Sequence, residues 1–556
     1  MQRNLLSLLL IAAVISSVIS CSSADKGGLA IPKDASFVVH IDASSITSKV
    51  SWQEIQQTRW FKDLYAQEND SLTKKLLDDP ANTGIDLKSN LAFFMKKQGR
   101  GGYSVFEGSV ANASAFEAFN KKVNKDAAVT KDGDINIMKL ANGRAVLSWD
   151  NKRFVYVMDS PMGSIPDRFP GGDDNYSGPY SFPADSLQYF GVQLFDLPKN
   201  NSLMTDDRFA GLLKEKGDMH FWANASRYSD MLGGVLSMFK NLSVLFEGNV
   251  SATTLNFENG KISMKTKSYY NDEMRKILQQ YPSGAISEDM INRIPSQNVA
   301  AVFAMKYPPA GIKDMIKLIG VDGIVNSFLG ENGYSMDEFV KANKGDMLFA
   351  VTDFTFGERE VTIPNPEGDP FTMKTSTPDA KFLFATSVND KASFEKMIGL
   401  VKSKMPEGAL DMLKSSYQLN DNWFAAGNSP EQLNAFMAGG NNKHAFTSRI
   451  TGKAFGAYID VQKLLQSSKP AVSDSSAVAA MDASIKMWQD VVFTGGDQKE
   501  NYMTGEAEIN LVDKNTNSLK QLNSYFDTMA SIYRHKNRAY DAQTKLNDRM
   551  SSWASY

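Results

Sequence analysis

Two stretches of the sequence match each other: VFEGSVANASAFEAFNKKV (Val105–Val123) and LFATSVNDKASFEKMIGLV (Leu383–Val401). The offset between them is constant at 278 residues (383 − 105). In each stretch an apolar strand pattern runs into a helical pattern, with Asn112 and Asp390 at the same place just before the helix. Either side chain can accept a hydrogen bond from a free N–H group of the first helical turn. The match indicates an internal duplication.

Further matching blocks lie on both sides of this pair in the same order. Asn90–Lys97 matches Asp346–Phe354, each an apolar strand, and the hairpin pattern of Arg144–Pro161 matches Ser415–Pro430. Each block is weak alone, but a shared order over the whole chain is hard to obtain by chance.

We therefore predict two related copies, residues 29–283 and 286–533, followed by a helical tail at 534–556. Strands that alternate with single helices favour an α+β fold, in which each copy is a mainly antiparallel sheet with helices packed on one face. The copies differ in long insertions, Ser160–Asp185 in the first and Gly357–Asp379 in the second. Such insertions are either binding loops or disordered excursions.

The start of the chain, MQRNLLSLLLIAAVISSVISCSS, is typical of a secretory leader. Arg3 is its charged residue, and Leu5–Ile19 is an apolar run too short for a spanning helix of about 20 residues. The letters VISC resemble the bacterial lipobox, which implies cleavage after residue 20 and lipidation of Cys21. Residues 21–28 would form a polar tether. The alternative is a plain secretory peptide with an incidental cysteine.

Composition and charge exclude several classes of protein. The chain of 556 residues is 42% hydrophobic and 22% charged, as expected for a globular protein. Lys+Arg number 60 against 63 Asp+Glu, so no basic excess indicates a nucleic-acid partner. With one cysteine no intramolecular disulfide forms, and the core alone must hold the fold. Because Ser22 follows the cysteine in place of Asp, we expect sorting to the outer membrane, facing the periplasm, with surface exposure left open.

Histidines give little support for a metal site. His40 and His220 lie in predicted strands that one sheet could bring together, but an isolated strand histidine usually has a structural role. When the starts of the matching blocks are aligned, Phe303 and Phe455 take these positions in the second copy. Phenylalanine at both places favours packing over metal binding.

A calcium loop is the better metal hypothesis. Asp173, Asn175 and Ser177 reproduce the opening ligands of an EF-hand loop, with Gly178 at its sixth position. The twelfth position is Ala184 rather than Glu, so a solvated turn is the alternative. We expect no cofactor.

Aromatic residues in the first insertion form a second candidate site. Tyr176, Tyr180 and Phe182 follow no helical or strand period. On a polar loop such rings can stack on sugars or fill a partner's pocket, so a glycan or protein partner is the hypothesis. The alternative is that the rings fold the loop back onto the sheet.

Together with the lipobox, the opening IPKDASFVVHIDASSI and the block VNDKASFEKMIGLV resemble a family of Bacteroidota lipoproteins known only as a domain of unknown function. The resemblance covers nearly the whole mature chain and implies attachment to the membrane through a lipid anchor, without an established activity. No G-x-S-x-G elbow or P-loop occurs. The sequence thus favours a non-catalytic binding or envelope-structural lipoprotein, with an unrecognised hydrolase of envelope or dietary polymers as the alternative.

Overall fold

The computed structural model describes residues 28–67, 74, 77–99, 101–125, 127–140, 143–160, 181–226, 241–363, 371–404 and 416–534. The chain separates into two compact units. Unit 1 holds the described residues up to Glu258, with Met264–Asn271 and Asn517–Ser524; unit 2 holds Asn259–Ser263, Asp272–Thr516 and the described residues from Tyr525 onward. The predicted limits of the copies stay a prediction.

Unit 1 is built on an antiparallel sheet. Its strands are β1 (Phe37–Ile41), β2 (Leu91–Gln98), β3 (Gly101–Ser109), β4 (Val129–Asp132), β5 (Ile135–Leu140), β6 (Ala145–Trp149), β7 (Arg153–Asp159), β8 (Met219–Asn224), β9 (Val250–Glu258) and the part of β10 (Lys261–Tyr269) from Met264 onward. They pair in the order β10-β9-β8-β1-β2-β3-β7-β6-β5-β4.

The described part of unit 2 repeats the first eight positions of this order, from β10 to β6. Its strands are β11 (Val299–Lys306), β12 (Asn343–Ile363), β13 (Phe371–Val388), β14 (Ser416–Leu419), β15 (Trp423–Gly427), β16 (Phe455–Ile459), β17 (Trp488–Gln498) and β18 (Met503–Leu511). They pair antiparallel as β18-β17-β16-β11-β12-β13-β15-β14. The predicted fold class, α+β with two related copies each built on an antiparallel sheet with packed helices, is confirmed.

Short helices accompany both sheets. In unit 1 they are α1 (Ala43–Lys49), α2 (Trp52–Gln57), α3 (Arg59–Gln67), α4 (Ala113–Val123), α5 (Ala184–Phe195) and α6 (Asp207–Lys214). The following ones are α7 (Asp272–Gln280), α8 (Glu288–Asn292), α9 (Pro309–Leu318), α10 (Asp322–Glu331), α11 (Met336–Ala342), α12 (Lys391–Lys404), α13 (Pro430–Ala438), α14 (Thr447–Ile450), α15 (Val461–Ser468), α16 (Ser475–Met487) and a last helix, α17, over residues 518–534. No helix within the described ranges combines the length and apolarity that a membrane span requires.

The matching blocks form the same strand–helix unit in both copies. Asn112 accepts a hydrogen bond from the Ala115 backbone N–H at 3.0 Å, and Asp390 accepts one from Ser393 at 3.3 Å, as the capping prediction required. One turn further, Phe116 and its counterpart Phe394 are buried to 2% and 1% exposure. Each ring anchors its helix, α4 or α12, to the sheet of its own unit.

The two strand histidines face each other in unit 1. β1 pairs with β8 so that His40 lies directly opposite His220, and their Nδ1 atoms are 3.0 Å apart. Both rings are buried, at 1% and 2% exposure. One ring must donate and the other accept in this contact, because a neutral imidazole carries a single N–H. The pair joins two neighbouring strands in the core.

The prediction that Phe303 and Phe455 replace these histidines in the second copy is wrong. The corresponding ladder in unit 2 places Ala304 opposite Gly456. The alignment of the block starts is therefore one residue out of register in both strands. Side chains alternate between the two faces of a strand, so a slip of one residue exchanges the buried and outward sets.

The second insertion is not a loop along its described part. β12 and β13 continue to pair with each other past the neighbouring strands, from Thr355 opposite Asp379 to Ile363 opposite Phe371. The stretch expected as a loop, Gly357–Asp379, therefore forms a two-stranded ribbon outside residues 364–370. Each segment supplies backbone partners to the N–H and C=O groups of the other that point inward, so the ribbon forms without a third strand.

We predict that the two buried phenylalanines stabilise their own units to a similar extent. Phe116→Ala and Phe394→Ala should each lower the free energy of unfolding of the unit that carries them by about 3–5 kcal/mol, through lost burial and a residual cavity. Denaturant-dependent hydrogen exchange of β3 and β13 amides measures this loss.

Val123→Ala and Val401→Ala are the matched controls, since these side chains on the same helices are 44% and 51% exposed. Each should change stability by no more than about 0.5 kcal/mol. Equal losses for buried and exposed substitutions would contradict the packing role of the two rings.

Candidate functional site

A cavity of about 330 Å³ lies in unit 1. Three parts of the chain form its wall: residues 28–30, Arg153 at the start of β7, and side chains between residues 194 and 205, at and after the end of α5. This volume is at the lower end of the roughly 300–1,000 Å³ of ligand pockets in proteins. The cavity is therefore a candidate site for a small molecule.

Arg153 places a guanidinium group on the cavity wall at the C-terminal end of α5. Its Nη2 donates a hydrogen bond to the carbonyl oxygen of Leu194 at 3.1 Å, and the group lies 4.5 Å from the ring centroid of Phe195. The last carbonyls of a helix lack intrahelical donors and form the negative end of its dipole, so a cation is stabilised there. In the described part of the chain no carboxylate forms an ion pair with Arg153.

Further polar groups surround the opening. Lys199 lies in a short 3₁₀ turn and is exposed to solvent. Ser202 caps the following turn by accepting a hydrogen bond from the Met204 backbone N–H at 3.3 Å, and Thr205 Oγ1 donates to the carbonyl of Ser202 at 2.8 Å. These local bonds hold the hydroxyl groups in place beside the cavity.

The remaining wall is mainly apolar. Leu194, buried at 3% exposure, belongs to the main core cluster of unit 1. The partly buried side chains that pack against the same cluster and also line the cavity are Leu29, Phe195, Leu197 and Met204. An apolar wall with a few polar groups is typical of ligand pockets.

Glu107 of β3 is a buried carboxylate behind this wall. Its two oxygens each lie 3.0 Å from the backbone N–H of Ala30, which donates to them. Burial raises the pKa of Glu107 to about 7, although the bond from Ala30 and the positive charge of Arg153 act in the opposite direction. Because Ala30 lines the cavity, the carboxylate holds the chain segment that forms one side of the site.

Unit 2 carries neither of these charges at the corresponding positions. Ala385 takes the place of Glu107 at the constant offset of 278. Trp423 takes the place of Arg153. Arg153 pairs with Ser109 and Trp423 pairs with Ser387, which are separated by the same offset of 278 residues. These two charged residues are therefore a feature of unit 1.

The sequence contained a signal for Glu107, although this residue belongs to none of the known catalytic or metal-binding motifs. The block alignment VFEGSV against LFATSV already sets Glu107 opposite Ala385, whereas Arg153 and Trp423 correspond only through the strand pairing of the two units. A charged residue opposite an apolar one, at a strand position that faces the core, is unusual unless the charge has a role.

The predicted aromatic site lies only in part within the described residues. Phe182 packs its ring edge-on against Phe190 of α5, with centroids 5.2 Å apart, and Phe190 stacks on Tyr103 at 4.6 Å. Its ring is thus packed against the core cluster of unit 1. Tyr176 and Tyr180 lie outside the described residues, and the binding role of the three rings stays a prediction.

The predicted calcium ligands Asp173, Asn175 and Ser177 also lie outside the described residues, as does the lipidation residue Cys21. Among the described residues, no three His, Cys, Asp or Glu side chains come together in a way that could hold a metal ion.

Glu107 predicts a pH dependence of stability. Its pKa of about 7 in the folded protein lies above the ordinary 4.5, so between these values the folded state binds more protons than the unfolded state. Stability should therefore fall by about 3 kcal/mol as the pH rises from about 4.5 to about 7. Glu107→Gln should remove this fall, because the amide stays neutral and still accepts from Ala30. Urea unfolding across this pH range, followed by tryptophan fluorescence, measures it.

The control is Glu247→Gln, which changes an exposed glutamate of the same unit and should leave the pH profile as in the wild type. A fall of unchanged size in Glu107→Gln would show that other groups cause it.

Comparison with known proteins identifies the family. No curated protein matches the chain. Among solved structures, crystal form I of TP0453 is 11% identical and aligns over 45% of this chain and 80% of that chain with a TM-score of 0.24; crystal form III is 11% identical, over 48% and 90%, also at 0.24. Structural similarity at this TM-score is too low to infer a shared fold or function. The family described as a domain of unknown function, DUF4836, matches residues 29–163 and 183–419. The chain belongs to this family.

Proposed function

We propose that this protein is a non-catalytic binding lipoprotein, anchored in the bacterial outer membrane through Cys21 and facing the periplasm, which takes a small ligand into the cavity of unit 1. The lipobox-like VISC and the absence of any other cysteine support the anchor. A bacterial lipoprotein carries several acyl chains, which suffices for stable attachment.

The cavity is the observation that carries the binding role. It combines an apolar wall with a guanidinium group that no carboxylate pairs with in the described residues. Seven peptide steps separate Cys21 from Gly28, the first residue of the wall, so even a fully extended tether reaches at most about 25 Å. A lipidated Cys21 would therefore hold the cavity close to the membrane surface.

Replacement of the cysteine tests the anchor. Cys21→Ser should move the protein from the membrane fraction to the soluble fraction and abolish labelling by an alkyne fatty acid, because no thiol remains to accept the lipid. Ser23→Ala, in the same tether, should change neither result. Membrane association that persists in Cys21→Ser would overturn the anchor.

Filling the cavity tests the binding role. Wild-type protein should bind the uncharged fluorophore phenylnaphthylamine saturably, and Ala30→Phe should weaken this binding at least about tenfold, a change of about 1.4 kcal/mol. The larger side chain occupies the space that the ligand needs, while the Ala30 backbone N–H stays available to Glu107. Fluorescence titration gives both dissociation constants.

Lys33→Phe is the matched control, since residue 33 lies on the same segment but is exposed and outside the cavity wall. It should bind the fluorophore as the wild type does. Binding that survives in a folded Ala30→Phe protein would exclude the cavity as the site.

A further inference from the structure

We propose that the ligand of this cavity is an amphipathic anion: an apolar body with one anionic head group, whose head binds Arg153 and Lys199 at the opening. This inference rests on the proposed binding function and specifies the chemistry of its ligand. It follows from the N–H donors of Arg153 and Lys199 that make no hydrogen bond within the described residues, from the apolar wall and from the comparison with unit 2.

Arg153 supplies the specific contact. A guanidinium has five N–H donors in a planar fork, and the structure uses one of them on the Leu194 carbonyl. The contact of the guanidinium carbon with the Phe195 ring is a cation–π contact and not a hydrogen bond, so it uses none of the N–H donors. Guanidinium edges match carboxylate and phosphate oxygens in pairs, so the open donors favour an anionic head group.

The sign of the charge on the wall excludes a cationic ligand. Arg153 and Lys199 are the charged residues that line the cavity, and both are positive. Glu107, a buried carboxylate that does not line the cavity, already accepts the Ala30 N–H with both oxygens. A ligand cation would meet two like charges, whereas an anion is attracted by both.

The apolar wall requires more than an inorganic anion. Leu29, Leu194, Leu197 and Met204 offer no hydrogen bonds, so a small hydrated ion would gain nothing from that part of the cavity. A hydrocarbon chain or ring that leaves water there gains about 25 cal/mol for each Å² it buries. An anionic head group on the two cations and an apolar body on the apolar wall would therefore fill the whole cavity.

Unit 2 offers another arginine for comparison, Arg293. Arg293 donates to the Phe436 carbonyl at 3.3 Å, as Arg153 does to that of Leu194. Yet Arg293 also pairs with Asp289 at 3.0 Å and lies over the Trp423 ring at 5.4 Å. Its charge is neutralised within the unit. For Arg153, by contrast, the described residues provide no carboxylate partner.

The test compares ligands that differ only in their head group. Decanoate, decyl phosphate and decanol are used to displace phenylnaphthylamine from the full-length protein, below the concentrations at which they self-associate and at a pH where decanoate is ionised. Decanoate should displace the fluorophore at about tenfold to hundredfold lower concentration than decanol, as expected for charge-assisted hydrogen bonds. Decyl phosphate distinguishes a phosphate from a carboxylate head.

Arg153→Gln should reduce the advantage of the anions over decanol to within about twofold. Lys199→Gln, at an exposed position where folding is not at risk, should reduce it in part. Arg144→Gln removes an exposed arginine of unit 1 outside the cavity wall and should have no effect.

The outcomes separate the two proposals. Equal displacement by anions and decanol, or an unchanged preference in both Arg153→Gln and Lys199→Gln, overturns the anionic ligand but leaves apolar binding intact. Failure of the wild-type protein to bind phenylnaphthylamine at all overturns the binding function itself. A preference for anions that both substitutions reduce supports the assignment.

Discussion

The antiparallel pairing of β3 with β7 is the constraint on which the site depends. It sets Glu107 opposite Val155, and since side chains alternate along a strand, Arg153 faces the same side two residues away. α5 packs on that side, where Gly191 lets the helix approach so closely that an added Cβ would lie 3.1 Å from Val157. The end of α5 therefore reaches Arg153, and its carbonyl and the guanidinium meet.

The same pairing explains why the two units differ in chemistry while sharing a fold. In unit 2 the ladder sets Ala385 opposite Ala425, so the inward position carries no charge and packs in an apolar core. In unit 1 the carboxylate at this position is buried, which costs stability when it is ionised. It is tolerated because it binds the backbone of Ala30 and so keeps the first described segment of the chain against the sheet.

Local features were predictable because they depend on neighbours in the sequence. Asn112 and Asp390 cap their helices because a cap needs only the next three residues. The α+β class and the antiparallel sheet of each copy followed from the repeated blocks. Register was not predictable from the starts of the matching blocks, and Phe303 and Phe455 were wrongly taken as counterparts of His40 and His220. The ribbon beyond Thr355 was likewise missed, because its two strands stabilise each other across an insertion that has the composition of a loop.

The sequence contains the residues of the candidate site but does not show that they lie close together in the fold. Arg153, Lys199 and the apolar wall come from separate segments, and no motif spacing joins a strand start, a helix end and residues 28–30. The loop aromatics chosen from the sequence gave only Phe182 within the described residues, where its ring packs on Phe190. Sequence by itself determined the duplication, the α+β class and the single cysteine, since periodicity and composition are local properties. Tertiary structure alone decided that Glu107 and Arg153 share one face and that a cavity opens beside them, because strand register and helix packing set which distant residues come into contact.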